Sequence, residues 1–415
     1  MNRIIIIGNG FDLAHGLKTR YEDFINWYWE SWTKKLTKHH SKEASDELCK
    51  FIACGQQDWS TILCPLSPFY SSCDDIGKQF IRHIKNNPHD YKYSQSRFLE
   101  RITKCIEKNN WVDIEKEYYN LLSLDFESSD NDSIAKLNNE LAFLKSQLIA
   151  YLNSIEKEFI NDSIVKGSIK AKILEPINPR DISIRAKKSI WTNFVENRLN
   201  NSDLNELLGC YCDNFKAKTR IKNFKRVNQD QINYMGINSI NDEYFPRELF
   251  YPDNILLLNF NYTRTADLYL PNEEIFKVNH IHGDLSDKSN IIFGYGDELD
   301  DNYKNILKQD NNEYLKNIKS INYLNSTNYR EMLSYIESSP YQIYIMGHSC
   351  GLSDKTLLNT LFEHDNCVSI KPFYYVNNEG FDNYTEIVQN ISRNFTDMKL
   401  MRDRVVNKTF CETLE

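Results

Sequence analysis

Ile4-Ile5-Ile6-Ile7 runs directly into Gly8-Asn9-Gly10, and no other feature limits the fold as much. The β-branched run predicts a short strand buried on both faces. The two glycines, lacking Cβ atoms, let the backbone turn sharply and approach a neighbour closely. Residues 11–15 can open a helix. Strand, glycine turn and helix N-terminus in that order aim backbone N–H groups at one spot, as phosphate and pyrophosphate sites do. The spacing departs from the dinucleotide fingerprint, because the third glycine of Gly-x-Gly-x-x-Gly would fall at Leu13 and Gly16 comes too late. Alone, the segment reads equally as a nucleotide loop or as an α/β turn with no ligand.

The chain has 415 residues, enough for one large α/β domain with an insertion or for two or three smaller domains. Its apolar runs all fall short of the roughly 18–20 residues of a transmembrane helix. Arg3 is the only charged residue before the first apolar run, which is four residues long, so no signal peptide is expected. A formal charge of −8 does not favour broad binding to nucleic acid. The ten cysteines include no Cys-x-x-Cys, which argues against a zinc ribbon and for buried thiols in a reducing cytoplasm.

Beyond residue 250 strand-like runs return at 255–261, 275–283, 291–294, 341–346 and 368–376, with helical patterns at 301–338 and from Tyr384. Strands alternating with helices predict an α/β fold, a Rossmann-like, doubly wound parallel sheet built from residues 1–30 and 245–415. Residues 31–244 read as a large, mainly helical insertion. Within it, 95–122 carries Phe98, Ile102, Cys105, Ile106 and Ile114 at helical spacing. Ile134, Leu137, Leu141, Leu144, Leu148, Tyr151 and Ile155 alternate steps of three and four, a seam for an internal bundle or for a partner helix. Lys216, Lys218, Arg220, Lys222, Lys225 and Arg226 form a basic run that reads as a solvated face or an anion contact. Gly8-Asn9-Gly10, Asn261-Tyr262, His282-Gly283 and Gly347-His348-Ser349 each follow a strand, where ligands of parallel sheets bind.

Gly8-Asn9-Gly10-Phe11-Asp12 with Gly16-Leu17-Lys18-Thr19-Arg20-Tyr21-Glu22-Asp23-Phe24 resembles the opening of the bacteriophage abortive-infection AbiH family. Asn259-Phe260-Asn261-Tyr262-Thr263, His280-Ile281-His282-Gly283-Asp284 and Gly347-His348-Ser349-Cys350-Gly351-Leu352-Ser353-Asp354 extend that resemblance. In the same order, these blocks resemble the NAD-binding motifs of sirtuin-like domains. The resemblance implies a sirtuin-like sheet, an NAD site and hydrolysis of NAD in the cytoplasm. It makes Asn261 and His282 catalytic. It gives ligand contacts to Gly8, Asn9, Gly10, Phe11, Asp12, Gly16, Tyr262, Thr263, Gly283, Gly347, His348 and Ser349. Homo-oligomerisation or a phage-derived trigger would release the activity. One position departs from the pattern: Thr263 stands where such domains usually have Asp, so its hydroxyl can hold a carboxamide but carries no charge.

The residue types suit the chemistry. Breaking the nicotinamide–ribose bond develops positive charge on the ribose. An amide at Asn261 can orient water, and an imidazole at His282 can take its proton. The plainer readings are a strand cap for Asn261 and a structural histidine for His282. A second reading is a sensor that binds NAD or ADP-ribose without cleaving it. Deacylation is disfavoured by the missing Cys-x-x-Cys pairs. Gly347-His348-Ser349-Cys350-Gly351 also fits a serine-hydrolase nucleophile elbow, with His364 the only histidine after Ser349.

Overall fold

In the computed structural model, the described residues are 1–38, 42–54, 58–64, 66, 76–109, 112–128, 131–186, 208, 211, 219, 247–270, 274–298 and 300–415. Among them the strands are β1 (Asn2–Ile7), β2 (Glu43–Ser45), β3 (Cys49–Ala53), β4 (Tyr91–Gln95), β5 (Ile255–Asn259), β6 (Phe276–His280), β7 (Tyr341–Met346) and β8 (Cys367–Phe373). Five of them form a parallel sheet in the order β6-β5-β1-β7-β8. The fold is thus mixed α/β. Every residue of β1 and of β7 is buried, as the continuous apolar runs predict for strands covered on both faces.

Register decides what meets at the carboxyl edge. Ile7 lies opposite Asn259 on one side and Met346 on the other, and Asn259 lies opposite His280. Gly8, Phe260, Ile281 and Gly347 therefore leave the sheet together. The chain adds β5 and β6 on one side of β1, then β7 and β8 on the other. The order reverses between β1 and β7, where such sheets open a crevice for ligands.

The chain divides into two compact units. The first comprises Met1–Gly16, Ile160–Asp284 and Tyr323–Glu415 and holds the parallel sheet. Its core packs Ile5, Ile7, Leu257, Tyr269 and Met346 against Ile169 and Ile173 of the helix Gly167–Leu174. The second comprises Leu17–Phe159 and Leu285–Asn322. It is built on the helices Tyr21–Thr37, Arg97–Asn109, Ile114–Ser128 and Asn131–Phe159 and the antiparallel sheet β2-β3-β4.

Several local expectations are corrected. Residues 95–122 are not one helix: Asp113 starts a second one, its carboxylate accepting from Lys116 N–H and its carbonyl from Glu117 N–H, both at 3.0 Å. The expected mainly helical segment also contains β2, β3 and β4. Residues 291–293 are buried but join no strand ladder, and the following Gly294 N–H donates to Glu115. The helical stretch 301–338 is broken into short pieces, of which Asn328–Ser338 is the longest.

The seam from Ile134 to Ile155 lies on the helix Asn131–Phe159, and all seven of its apolar side chains are buried within the chain. Tyr151 packs against Phe24 and Trp27. The seam therefore serves internal packing, and no face of it is left for a partner helix. The basic run 216–226 lies outside the described residues apart from Thr219. Among the described residues no helix is long and apolar enough to cross a membrane.

Candidate active site

The glycines at the carboxyl edge let two loops touch. Gly8 N–H donates to Met346 O at 3.2 Å, Gly10 N–H to Gly347 O at 2.8 Å, and Phe11 N–H to Gly8 O at 2.8 Å. A Cβ on Gly10 would come within 2.8 Å of Gly347 Cα, and one on Gly347 within 2.1 Å of Phe11 N. The N–H groups that a phosphate loop would present are directed here at backbone carbonyls of β7 and of the loop itself. Asn9 is exposed at the turn. Gly16 sits apart, past the end of the helix Asn9–Ala14, where its φ of +78° terminates the helix.

The β5 end is organised by Asn259. Its Oδ1 accepts Asn261 N–H at 3.1 Å, and its Nδ2 donates to Thr263 O at 2.9 Å. The Asn261 amide then donates to Gly8 O at 3.1 Å, which ties it to the β1 loop. Thr263 is buried, and its hydroxyl donates to Asp12 Oδ2 at 2.6 Å. The carboxyl group that Thr263 lacks is therefore present beside it. Phe11 is a core residue, and Tyr262 is partly exposed on the rim.

His15 ends the same helix as Asp12. Its Nδ1 lies 2.6 Å from Phe11 O, and its Nε2 meets the Tyr269 hydroxyl. The Tyr269 oxygen in turn accepts Lys166 N–H at 2.8 Å. A proton on Nδ1 satisfies this chain, with Tyr269 O–H donating to Nε2. Burial holds His15 below the usual histidine value of 6.5, although the bond to Phe11 O pulls the other way. The unfolded chain then binds this proton first, so the stability His15 contributes is present above about pH 6.5 and is lost as pH falls. An NMR titration should show His15 titrating below the exposed histidines, and His15→Gln should flatten unfolding midpoints below that pH. An ordinary His15 titration would sink the assignment.

The third group comes from β6 and β7. His282 Nε2 lies 3.3 Å from Asp354 Oδ1 and 3.2 Å from the Tyr323 hydroxyl. His348 Nε2 lies 3.6 Å from Asp354 Oδ2, and its Nδ1 accepts Cys350 N–H at 3.0 Å. His282, His348 and Asp354 are all buried, and Phe260 packs its ring against both imidazoles, 5.1 and 4.3 Å between centroids. Gly283, at φ +78°, turns the chain just after His282. Burial pushes the Cys350 thiol up, and the charge of Asp354 adds to it. Asp354 and Tyr323 escaped the sequence reading of the site. The only signal for Asp354 was its place at the end of the Gly-His-Ser-Cys-Gly-Leu-Ser-Asp block.

The structure contradicts the nucleophile elbow. The strained residue after β7 is Cys350, at φ +53°, not Ser349. His364 precedes β8 and so lies at the amino edge of the sheet, where it faces Glu337 at 3.3 Å. Ser349 follows β7 at the carboxyl edge, a strand's length of roughly 20 Å away.

A family model described as bacteriophage abortive infection AbiH matches residues 4–376. No curated protein and no solved structure matches the chain.

Proposed function

The chain belongs to the bacteriophage abortive infection AbiH family, and from that premise we propose that it is an anti-phage effector that hydrolyses NAD to nicotinamide and ADP-ribose. One observation carries the reading. Asn261 and His282 each stand two residues beyond the paired positions Asn259 and His280, past the carboxyl ends of β5 and β6, and Asn261 reaches the β1 loop through Gly8 O. The sirtuin-like character of the sheet belongs to the same proposal.

The bond between nicotinamide and ribose C1′ breaks, and nicotinamide leaves neutral with the electron pair. Water, oriented by the Asn261 amide, attacks C1′ and gives its proton to His282, which releases it afterwards. Asn261 is itself held by the Gly8 carbonyl. The loops bearing Gly8, Asn9, Gly10, Asp12, Tyr262, Thr263, Gly283, Gly347, His348 and Ser349 form the dinucleotide cleft. Free activity would drain a cell of NAD, so the cytoplasmic protein is restrained until a phage-derived trigger or self-association releases it.

The test is nicotinamide release from NAD by purified protein, with and without phage lysate. His282→Ala and Asn261→Ala should each lower turnover by about 10²-fold or more while the circular dichroism is unchanged. Wild-type turnover in either variant would end this assignment of roles. A sensor that binds NAD or ADP-ribose without cleavage is the second reading, supported by Thr263 standing where such domains usually have Asp, with its hydroxyl donated to Asp12. Saturable binding with no product in any condition would select it.

A further inference from the structure

We propose that His280 is a positioning residue for Asn261 and acts through Asn259: its Nδ1 accepts an amide hydrogen of Asn259, and its Nε2 carries the proton. What this does for turnover rests on the NAD-hydrolysis reading, whereas the tautomer and the hydrogen bonds do not.

The chemistry starts from the Asn259 amide, which two backbone groups orient. Its Oδ1 accepts Asn261 N–H at 3.1 Å, and its Nδ2 donates to Thr263 O at 2.9 Å. An N–H cannot accept and a carbonyl cannot donate. Turned over, the amide would set N–H against N–H and oxygen against oxygen, so this orientation is fixed. The second hydrogen on Nδ2 then meets His280 Nδ1 at 3.2 Å. That nitrogen must offer a lone pair, and in the neutral ring the proton goes to Nε2. There it faces Asp267 Oδ1, an acceptor, at 3.0 Å. The two ends of the imidazole thus give the same answer independently.

Register brings these groups together. Asn259 and His280 end β5 and β6 directly opposite each other. The His280 backbone is anchored as well, its carbonyl accepting Asn328 Nδ2 at 2.6 Å and Gly283 N–H at 2.9 Å. Asp267 belongs to the short turn Thr265–Tyr269 that follows Thr263. One ring therefore holds the β5 loop at both ends, at Asn259 where it leaves the strand and at Asp267 beyond Thr263. Asn259 is buried and Asp267 lies at the surface. The inner bond is the stronger constraint, and the outer one, in contact with water, mainly sets the tautomer.

Asn261 depends on this arrangement. Its N–H is held by Asn259, and its own amide donates to Gly8 O at 3.1 Å. Removing the acceptor at His280 leaves one Nδ2 hydrogen of the buried Asn259 unpaired, which frees that amide to rotate and takes Asn261 with it. A displacement of about 1 Å in a group that orients water costs about 10²-fold in rate.

Two measurements on the full chain test the proposal. Histidine-labelled protein at about pH 9, where imidazoles are neutral, should show the Nε2–H tautomer for His280, its signals identified by their loss in His280→Asn. This needs no turnover. Where nicotinamide release is measurable, two variants of similar polarity separate the ends of the ring. His280→Asn places an amide oxygen where Nδ1 stands, and His280→Gln places its amide nearer the Nε2 position. His280→Gln should lower kcat by about 10²-fold with KM nearly unchanged, and His280→Asn should recover most of that loss. An Nδ1–H tautomer in the wild type, wild-type kcat in His280→Gln, or a His280→Asn protein no better than His280→Gln overturns the proposal. Absence of turnover in the wild type overturns the hydrolase reading instead, and the tautomer then decides this one.

Discussion

Gly347→Val is expected to give no folded protein, and Gly347→Ala to lose about 2–5 kcal/mol of stability. Two terms add. At φ +75° a side chain adopts a left-handed backbone that disfavours any Cβ by about 1–2 kcal/mol. The new Cβ would also stand 2.1 Å from Phe11 N and 2.4 Å from Gly10 C, both backbone atoms of the loop after β1. Those atoms can yield only if the loop leaves its hydrogen bond from Gly10 N–H to Gly347 O, so overpacking adds about 1–3 kcal/mol. Branching at Cβ worsens both terms for valine. Gly380 supplies the control. Its φ is +83°, but a Cβ there meets nothing within 4 Å, so Gly380→Ala should show the backbone term alone. Urea unfolding midpoints of the two alanine variants separate the terms. Equal losses would mean that the two loops do not press on one another, and the account of this edge would fall with them.

The same loops show what a sequence can and cannot announce. Glycines at 8 and 10 predict a close approach, but they cannot name what approaches. Here it is the backbone of Gly347 and His348, more than 330 residues away. β1, β5 and β7 were legible because burial on both faces makes each one a mostly apolar run, β6 was legible from its alternation, and a polar residue such as Asn259 marks where β5 leaves the sheet. The small antiparallel sheet was not. In β3 only Cys49, Phe51 and Ala53 point inward, too few to outweigh the helical spacing around them. Residues 291–293 err in the other direction, since an apolar run buried under a loop looks like a buried strand. His282 could be picked out from its place after a strand, whereas its partners Tyr323 and Asp354 arrive from distant segments through contacts that no periodicity encodes.

Lys371→Met is expected to cost about 3 kcal/mol at pH 8 and distinctly less at pH 5, because it strips the cation from beside the buried Asp181, with the partly exposed Glu175 and the exposed Glu412 at the edge. Arg3, Gln342 and Ser369 lie in register across β1, β7 and β8, and Tyr344 and Lys371 form the next row. Lys371 Nζ stands 3.4 Å from Glu175, 3.6 Å from Glu412 and 3.8 Å from Asp181. Arg3 cannot replace it: its NH1 is committed to the carbonyls of Ile173 and Glu175, and its NH2 reaches Tyr344 and Gln342. Asp181 carries the pH dependence. Burial raises its carboxyl from 3.8 to about 6, against the pull of Lys371 and Arg180, with Glu175 adding to the rise. Between those values the native state holds a proton that the unfolded chain has released. Burying the charge therefore opposes folding above about pH 6, and that opposition fades as pH falls through the window. Without Lys371 the native carboxyl rises further, so the variant should begin to recover above pH 6. Urea unfolding of wild type and variant at pH 5 and pH 8 reads the difference directly. A deficit of the same size at both values would show that Lys371 acts by packing its stem on Tyr344 and Phe373, and that Asp181 does not answer to it.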